Sequence, residues 1–287
     1  MYTLGMIGAE NSHSRHIATL CNIEKKAPIR VPMIWGERPK FAKDVSEKGG
    51  IPEIVKDWRD MLGKVDAVMI DHRHPGPHYE AARFFLENRV PTFVDKPFTW
   101  KLREAKALVD LARDKRTSVI TFSSIPIQSE FQAFKRTLAK SGPIRAINST
   151  GPCDLRSRYG GVFFYGIHQV DSAVELLGTN VKRASLARSG PNGIATLFFS
   201  DGPMVTMNCI KEGGGGFHWT ACTDKGILTH RNAKDGNLYL ATIRTLHEWL
   251  KAGKAPMSRE RMLAPIAVLE AMQKSLDQRK PVNVPTF

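Results

Sequence analysis

Residues 65–97, VDAVMIDHRHPGPHYEAARFFLENRVPTFVDKP, decide the fold. VDAVMID (65–71) is a short apolar run, HYEAARFFLEN (78–88) reads as a helix, and PTFVDKP (91–97) is a second apolar run. A strand, a helix and a strand in about thirty residues form a βαβ unit, which demands parallel strands. The same alternation extends both ways. Upstream, TLGMIGA (3–9) is a strand ahead of a helix from Ser14 to about Lys26, RVPMIWG (30–36) is a strand, and 39–48 is a polar helix. Downstream, LREAKALVDLARDK (102–115) carries Leu102, Ala105, Leu108, Val109 and Ala112 at helical spacing, and TSVITF (117–122) is a fifth strand. Residues 1–122 therefore predict a Rossmann-like, doubly wound parallel sheet, the α/β architecture of dinucleotide-binding domains.

Beyond residue 122 the pattern changes. A helix over 128–141 ends at Ser-Gly-Pro, and RAINSTG, KRASLARS, IATLFFS, MVTMNCI, HWTACTD and GILTH follow with turn residues between most of them. This predicts an α+β domain over 123–287 built on an open, mostly antiparallel sheet. Two helices close it, about 238–252 and 259–279, the latter with an apolar stripe of Met262, Ile266, Leu269, Met272 and Leu276. No flexible linker separates the two domains.

Composition narrows the function. With 287 residues, 42% hydrophobic and 24% charged, the chain buries a core and is neither disordered nor fibrous. No apolar run approaches the roughly 18–20 residues a membrane helix needs, and MYTLGMIGAE lacks the features of a signal peptide. Cys21, Cys153, Cys209 and Cys222 show no C-x-x-C spacing, which argues against a disulfide framework or zinc knuckle and for a reducing, cytoplasmic setting. The net charge of +14 favours anionic ligands. Without a zinc finger, an RNP-like aromatic motif or a long basic run, nucleic acid is not the expected partner. A small molecule is.

The chemistry-bearing positions lie at strand ends. A dinucleotide-binding loop keeps G-x-G-x-x-G after its first strand, and here Gly8-Ala9-Glu10-Asn11-Ser12-His13 retains one glycine. The acid that ends the second strand, the ribose-binding position, is replaced by Gly36, with Glu37 one step later. Arg38 and Lys40 follow, so NAD and NADP stay equally open. Asp71-His72-Arg73-His74-Pro75-Gly76-Pro77-His78 sits at the carboxyl edge of the third strand. His74 and His78 are four apart, but Pro75-Gly76-Pro77 between them keeps the pair off a helix of the zincin kind, so no metal is expected. The cofactor-binding set is Gly8, Glu10, Asn11, Ser12, His13, Arg38, His74, Asp95 and Lys96. Lys96, ending the fourth strand, is placed for acid/base or electrostatic work. In GGVFFYGIHQVD (160–171), His168 and Asp171 are three apart near a helix start. They suit a proton-transferring imidazole with an acid that orients it or meets substrate. His78, Arg156, Arg158, Tyr159 and Tyr165 are the substrate candidates, the arginines suiting a carboxylate or phosphate.

These pieces in this order resemble the glucose–fructose oxidoreductase / inositol dehydrogenase (Gfo/Idh/MocA) family over nearly the whole chain. VDAVMI, the helix before PTFVDKPFT, GIHQVDSAVELLG and APIAVLEAMQKSLDQRKPV carry the likeness. The resemblance implies NAD(P)-dependent hydride transfer at a carbon of a sugar, cyclitol or related polyol, and homodimers or homotetramers formed through the C-terminal sheet. It implies that Lys96 is the E-K-P lysine contacting cofactor and substrate, with Asp95 in place of the glutamate, and that His168 is the general acid/base. The family's aspartate four residues before that histidine is Phe164 here, Tyr165 being the nearest polar residue. Asp171 matches the acid three residues after it. Because most departures concern the cofactor while Lys96 and His168 are kept, the alternative is a lyase, aldolase, epimerase or hydrolase on the same scaffold, with or without a metal.

Overall fold

A computed structural model describes residues 1–200, 202–212, 215–232 and 239–287. The chain forms two compact units. Unit 1 is Met1–Thr99, Arg103–Phe122 and Asn237–Ser258, and unit 2 is Trp100–Leu102, Ser123–Gly236 and Arg259–Phe287. This interleaving differs from a single break after residue 122. The late segment joins unit 1 because its helix buries Ile243, Leu246 and Trp249, and Trp249 Nε1 donates to Ser118 Oγ at 2.9 Å.

Unit 1 runs β1 (Tyr2–Ile7), α1 (Ser12–Ala18), β2 (Ile29–Arg30), β3 (Met33–Trp35), α2 (Pro39–Gly49), β4 (Glu53–Ile54), β5 (Ala67–Ile70), α3 (His78–Glu87), β6 (Thr92–Val94), α4 (Leu102–Asp114) and β7 (Val119–Ile120). The main sheet has the order β4-β3-β1-β5-β6-β7 with every pairing parallel, and β2 adds to β1. The chain winds one way from β1 to β3 and the other way from β5 onward, so β1 and β5 flank the switch point where such sheets bind ligands. β5 and β6 are wholly buried, as apolar strands covered on both faces must be. The strand expected over 30–36 is split, because Pro32 has no N–H for the ladder.

Unit 2 contains α5 (Ser129–Ala139), β8 (Ile144–Pro152), α6 (Val162–Leu177), β9 (Val181–Ser189), β10 (Asn192–Phe199), β11 (Met204–Ile210), β12 (His218–Thr223) and β13 (Gly226–Arg231). After α7 (Leu240–Ala252) of unit 1, α8 (Arg259–Gln278) and β14 (Val282–Asn283) complete it. Its sheet, β13-β12-β8-β11-β10-β9-β14, is antiparallel apart from the parallel β8–β11 pair. Burial alternates along β12, and α6 and α8 pack on the inner face. Ile194, Met204 and Ile227 stay exposed. Among the described residues no helix is long and apolar enough to cross a membrane.

Candidate active site

The loop after β1 has one position that only glycine can fill. Gly8 has φ +114°, and a β-carbon there would lie 2.6 Å from the Asp71 carbonyl carbon and the His72 nitrogen. A second crowding explains the displaced acid. A β-carbon on Gly36 would lie 2.8 Å from Cβ of Ala9, so no carboxylate fits at that strand end. Glu37 takes over from the next position. Its Oε2 accepts from the N–H groups of Ala9 and Glu10 at 2.9 and 3.1 Å, while its buried Oε1 has no partner among the described residues. An orphaned buried acceptor on a carboxylate already held by this loop fits a ribose hydroxyl, which would donate to it. Glu37 stands outside the cofactor set expected from sequence, because the tight Ala9–Gly36 approach that displaces the acid leaves no mark in the chain. Arg38 and Ser12 are exposed, and Arg38 lies over the Phe41 ring.

Asn11 and His13, expected to meet cofactor, turn their side chains inward. Asn11 Nδ2 donates to Asp71 Oδ1 at 2.8 Å and to Asp95 Oδ2 at 3.1 Å, tying the ends of β5 and β6. His13 Nδ1 meets Asp95 Oδ1 at 3.1 Å, and Lys96 Nζ lies 3.6 Å from Asp95 Oδ2. Burial, with Asp95 close by, pushes the Asp71 carboxyl well above the ordinary range. A protonated Asp71 can donate to Ser14 Oγ, which in turn donates to the Gly8 carbonyl at 2.9 Å. Burial also opposes ionisation of Asp95, but the His13 and Lys96 charges outweigh it and hold that carboxyl below its usual value. Burial in turn lowers the pKa of His13. One atom from each of His13, Asp71 and Asp95 falls within 4.8 Å of the others, yet Asn11, Ser14 and Lys96 already engage both carboxylates.

Two further expectations change. His78 is fully buried, with Nδ1 3.0 Å from the Pro97 carbonyl and Nε2 3.0 Å from the His72 carbonyl, so it braces backbone and cannot meet substrate. His74 Nδ1 accepts from Gly76 N–H at 2.8 Å, and its ring shapes its own loop. His72 is buried beside His78, which depresses its pKa to about 3.

In unit 2, α6 begins at Val162 behind Gly160 and Gly161, both at positive φ, so His168 lies within the helix rather than near its start. Its Nδ1 is 2.7 Å from Ser123 Oγ, and its ring packs against Phe217 and Tyr165. Asp171 holds the frame. Its carboxylate accepts from Ser123 N–H at 3.0 Å and is ion-paired with Arg261. Arg261 also pairs with Glu175 at 3.2 Å. Ser123 and Arg261 went unrecognised because 45 and 90 residues separate them from His168 and Asp171. Tyr165 is 37% exposed beside His168, and Arg158 is hydrogen-bonded to the Tyr159 hydroxyl. Arg156 lines a different space, a cleft of about 810 Å³ shared with Arg188, Gln273, Arg279 and Lys280.

A doubly wound parallel sheet with a glycine-dependent loop after its first strand, carried with an open mixed sheet in one chain, defines a two-unit protein of the dinucleotide-fold class. Residues 2–122 match the Gfo/Idh/MocA family model described as "Oxidoreductase family, NAD-binding Rossmann fold". Myo-inositol 2-dehydrogenase from Lactobacillus plantarum is 14% identical, with 99% of each chain covered and a TM-score of 0.87. Levoglucosan dehydrogenase, solved with NADH and levoglucosan, is 15% identical at a TM-score of 0.82, covering 99% of this chain and 100% of that one. The curated relative "Putative oxidoreductase YceM" of Salmonella typhimurium (strain LT2) is 28% identical over 189 residues, spanning 63% of this chain and 60% of its own length.

Proposed function

We propose that this chain is an NAD-dependent oxidoreductase acting at a hydroxyl or keto carbon of a sugar, cyclitol or related polyol. The observation that carries the reading is Glu37, pinned by two loop N–H groups with one buried oxygen left over. A carboxylate there suits the 2′-hydroxyl of NAD and repels the 2′-phosphate of NADP. Gly8 and the Ala9–Glu10 backbone would hold the adenosine side of the cofactor. When bound, the nicotinamide supplies or accepts the hydride. His168 then exchanges the proton of the substrate oxygen, and Lys96 stabilises charge developing on that oxygen. Tyr165, Arg158 and Tyr159 are the residues we assign to substrate. The same reading places homo-oligomer formation on the outer face of the mixed sheet, where Ile194, Met204 and Ile227 are exposed.

The test is calorimetric titration with NAD+, NADH, NADP+ and NADPH, followed by a polyol screen. Binding of the NAD pair in the micromolar range is expected, with the NADP pair at least roughly tenfold weaker and that gap narrowed in Glu37→Ala. Lys96→Met and His168→Ala should each lower turnover about 10²–10⁴-fold. No binding of any of the four cofactors up to millimolar concentration would remove the proposal.

A further inference from the structure

The cleft of about 810 Å³ in unit 2 has the size of a small-molecule site and carries charge that its own residues do not neutralise. Arg156, Arg188, Arg279 and Lys280 line it as exposed residues, and among the described residues none of the four is ion-paired. Asp277 is the one acid on the described lining. It accepts from Gln273 Nε2 at 3.0 Å and pairs with none of the cations. Arg279 and Lys280 follow the last turn of α8, where cations meet the exposed carbonyls of a helix. Arg156 and Arg188 have no such cause. Arg188 stands on β9, and Arg156 comes from the segment after β8. A β-carbon on Gly193, which faces Arg188 from β10, would lie 2.6 Å from Leu155 Cδ1. Glycine there lets Leu155 lie buried against the sheet, which brings its neighbour Arg156 to the cleft.

The wall adds neutral donors. β14 pairs with β9 only at Arg183 and Ala184, and Val284 N–H donates to the Lys182 carbonyl at 2.8 Å. Leu186 N–H faces the same edge, donating to Ser275 Oγ at 3.0 Å. Arg188 is next in that alternation and lies beyond β14, so its N–H stands on the edge without a strand partner. Ser275 is 1% exposed, and among the described residues nothing accepts its hydroxyl proton.

We propose that this cleft binds a small molecule carrying two or more oxyanion groups, phosphate or carboxylate. Guanidinium groups hold such oxygens with paired N–H donors, and a cleft lined by one sign of charge concentrates the opposite sign. Neither His168 nor Asp171 lines the cleft, and the proposal does not rest on the oxidoreductase reading.

The experiment is calorimetric titration of the full chain at physiological salt with pyrophosphate and, separately, with tricarballylate. Binding of at least one with a Kd below about 1 mM is expected. Pyrophosphate alone would assign the cleft to phosphorylated molecules and tricarballylate alone to polycarboxylates, and either result, or both, supports the site. Arg188→Glu should weaken binding at least about tenfold, and Arg188→Lys, which keeps the charge but not the planar fork, should weaken it less. Lys56→Glu makes the same change in net charge at an exposed residue of unit 1 and should alter Kd less than about twofold. Failure of both probes to bind at millimolar concentration overturns the proposal. Equal weakening by Arg188→Glu and Lys56→Glu does the same, since it would reveal only the general attraction of a basic chain. Binding that survives Arg188→Glu unchanged would put the anion at another place and overturn it as well.

Discussion

Both units bury carboxylates close to a residue assigned to proton handling, and they neutralise them by different means. In unit 2, Asp171 and Glu175 face Arg261, and Lys135 adds a second cation 2.6 Å from Glu175. In unit 1, Asp71 and Asp95 share one asparagine amide and one lysine, so charge balance is reached by leaving a proton on Asp71. An acid–arginine cluster is a fixed-charge device, indifferent to pH across the neutral range. An acid–acid cluster stores a titratable proton. The largest effect should come from breaking the fixed-charge device. Arg261→Ala leaves Asp171, whose side chain is 4% exposed, without its cation. A loss of about 3–5 kcal/mol in urea unfolding is expected. A loss below about 1 kcal/mol would mean that Asp171 is not the committed charge described above.

The acid–acid cluster makes a finer prediction, because its two members respond to pH with opposite signs. Asp71 has a raised folded pKa, so its stabilising contribution is present below about pH 4 and is lost as pH rises through that folded value. Asp95 has a depressed folded pKa, so its contribution is complete above about pH 4 and is lost as pH falls. Asp71→Asn mimics the protonated acid. It should change stability at pH 7 by no more than about 1 kcal/mol and flatten the decline toward higher pH. Asp95→Asn removes a buried carboxylate that pairs with both His13 and Lys96 and should cost about 2–4 kcal/mol at the same pH. Thermal unfolding of both variants between pH 4 and 9 separates them, and equal losses would erase the distinction between the two carboxyls.

What could be read in advance divides along the same line. Apolar runs alternating with helical spacing are local, and they mark most strands and helices of the first 122 residues, but not β4, the break that Pro32 makes, or the end of the first α-helix at Ala18. Position at a strand end singles out Lys96, whereas the part taken by Glu37, one residue past its strand, and by Asp71 depends on packing that the sequence does not show. The directions of side chains did not follow. Asn11 and His13 stand where a cofactor loop should face outward, and they turn inward because two carboxyls behind them need donors. His78 reads as a ligand in a histidine-rich loop, but the carbonyls of His72 and Pro97 consume both ring nitrogens. Ser123 and Arg261 are ordinary residues in unremarkable stretches, and only the folded chain brings them to His168 and Asp171. Polar partnerships across long separations obey satisfaction of donors and acceptors, a constraint that leaves no periodic trace in sequence.

The smallest effect tests why unit 1 carries an acid at Glu37 rather than at the end of β3. Ala9 fills the space that a glycine would leave open, and that space is the one a side chain at the end of β3 would need. Gly36→Ala should therefore cost about 1–3 kcal/mol through overpacking. Ala9→Gly should relieve part of that cost, giving a favourable coupling in the double mutant of about 0.5 kcal/mol or more. A β-carbon at residue 36 would also lie 3.0 Å from Cβ of Ala42, so the relief should be incomplete. If the two changes proved additive, Ala9 would not be what excludes the carboxylate from position 36. The use of Glu37 would then need another cause. If they couple, loop and strand end changed together, and unit 1 kept an acid at its loop by moving it one residue along.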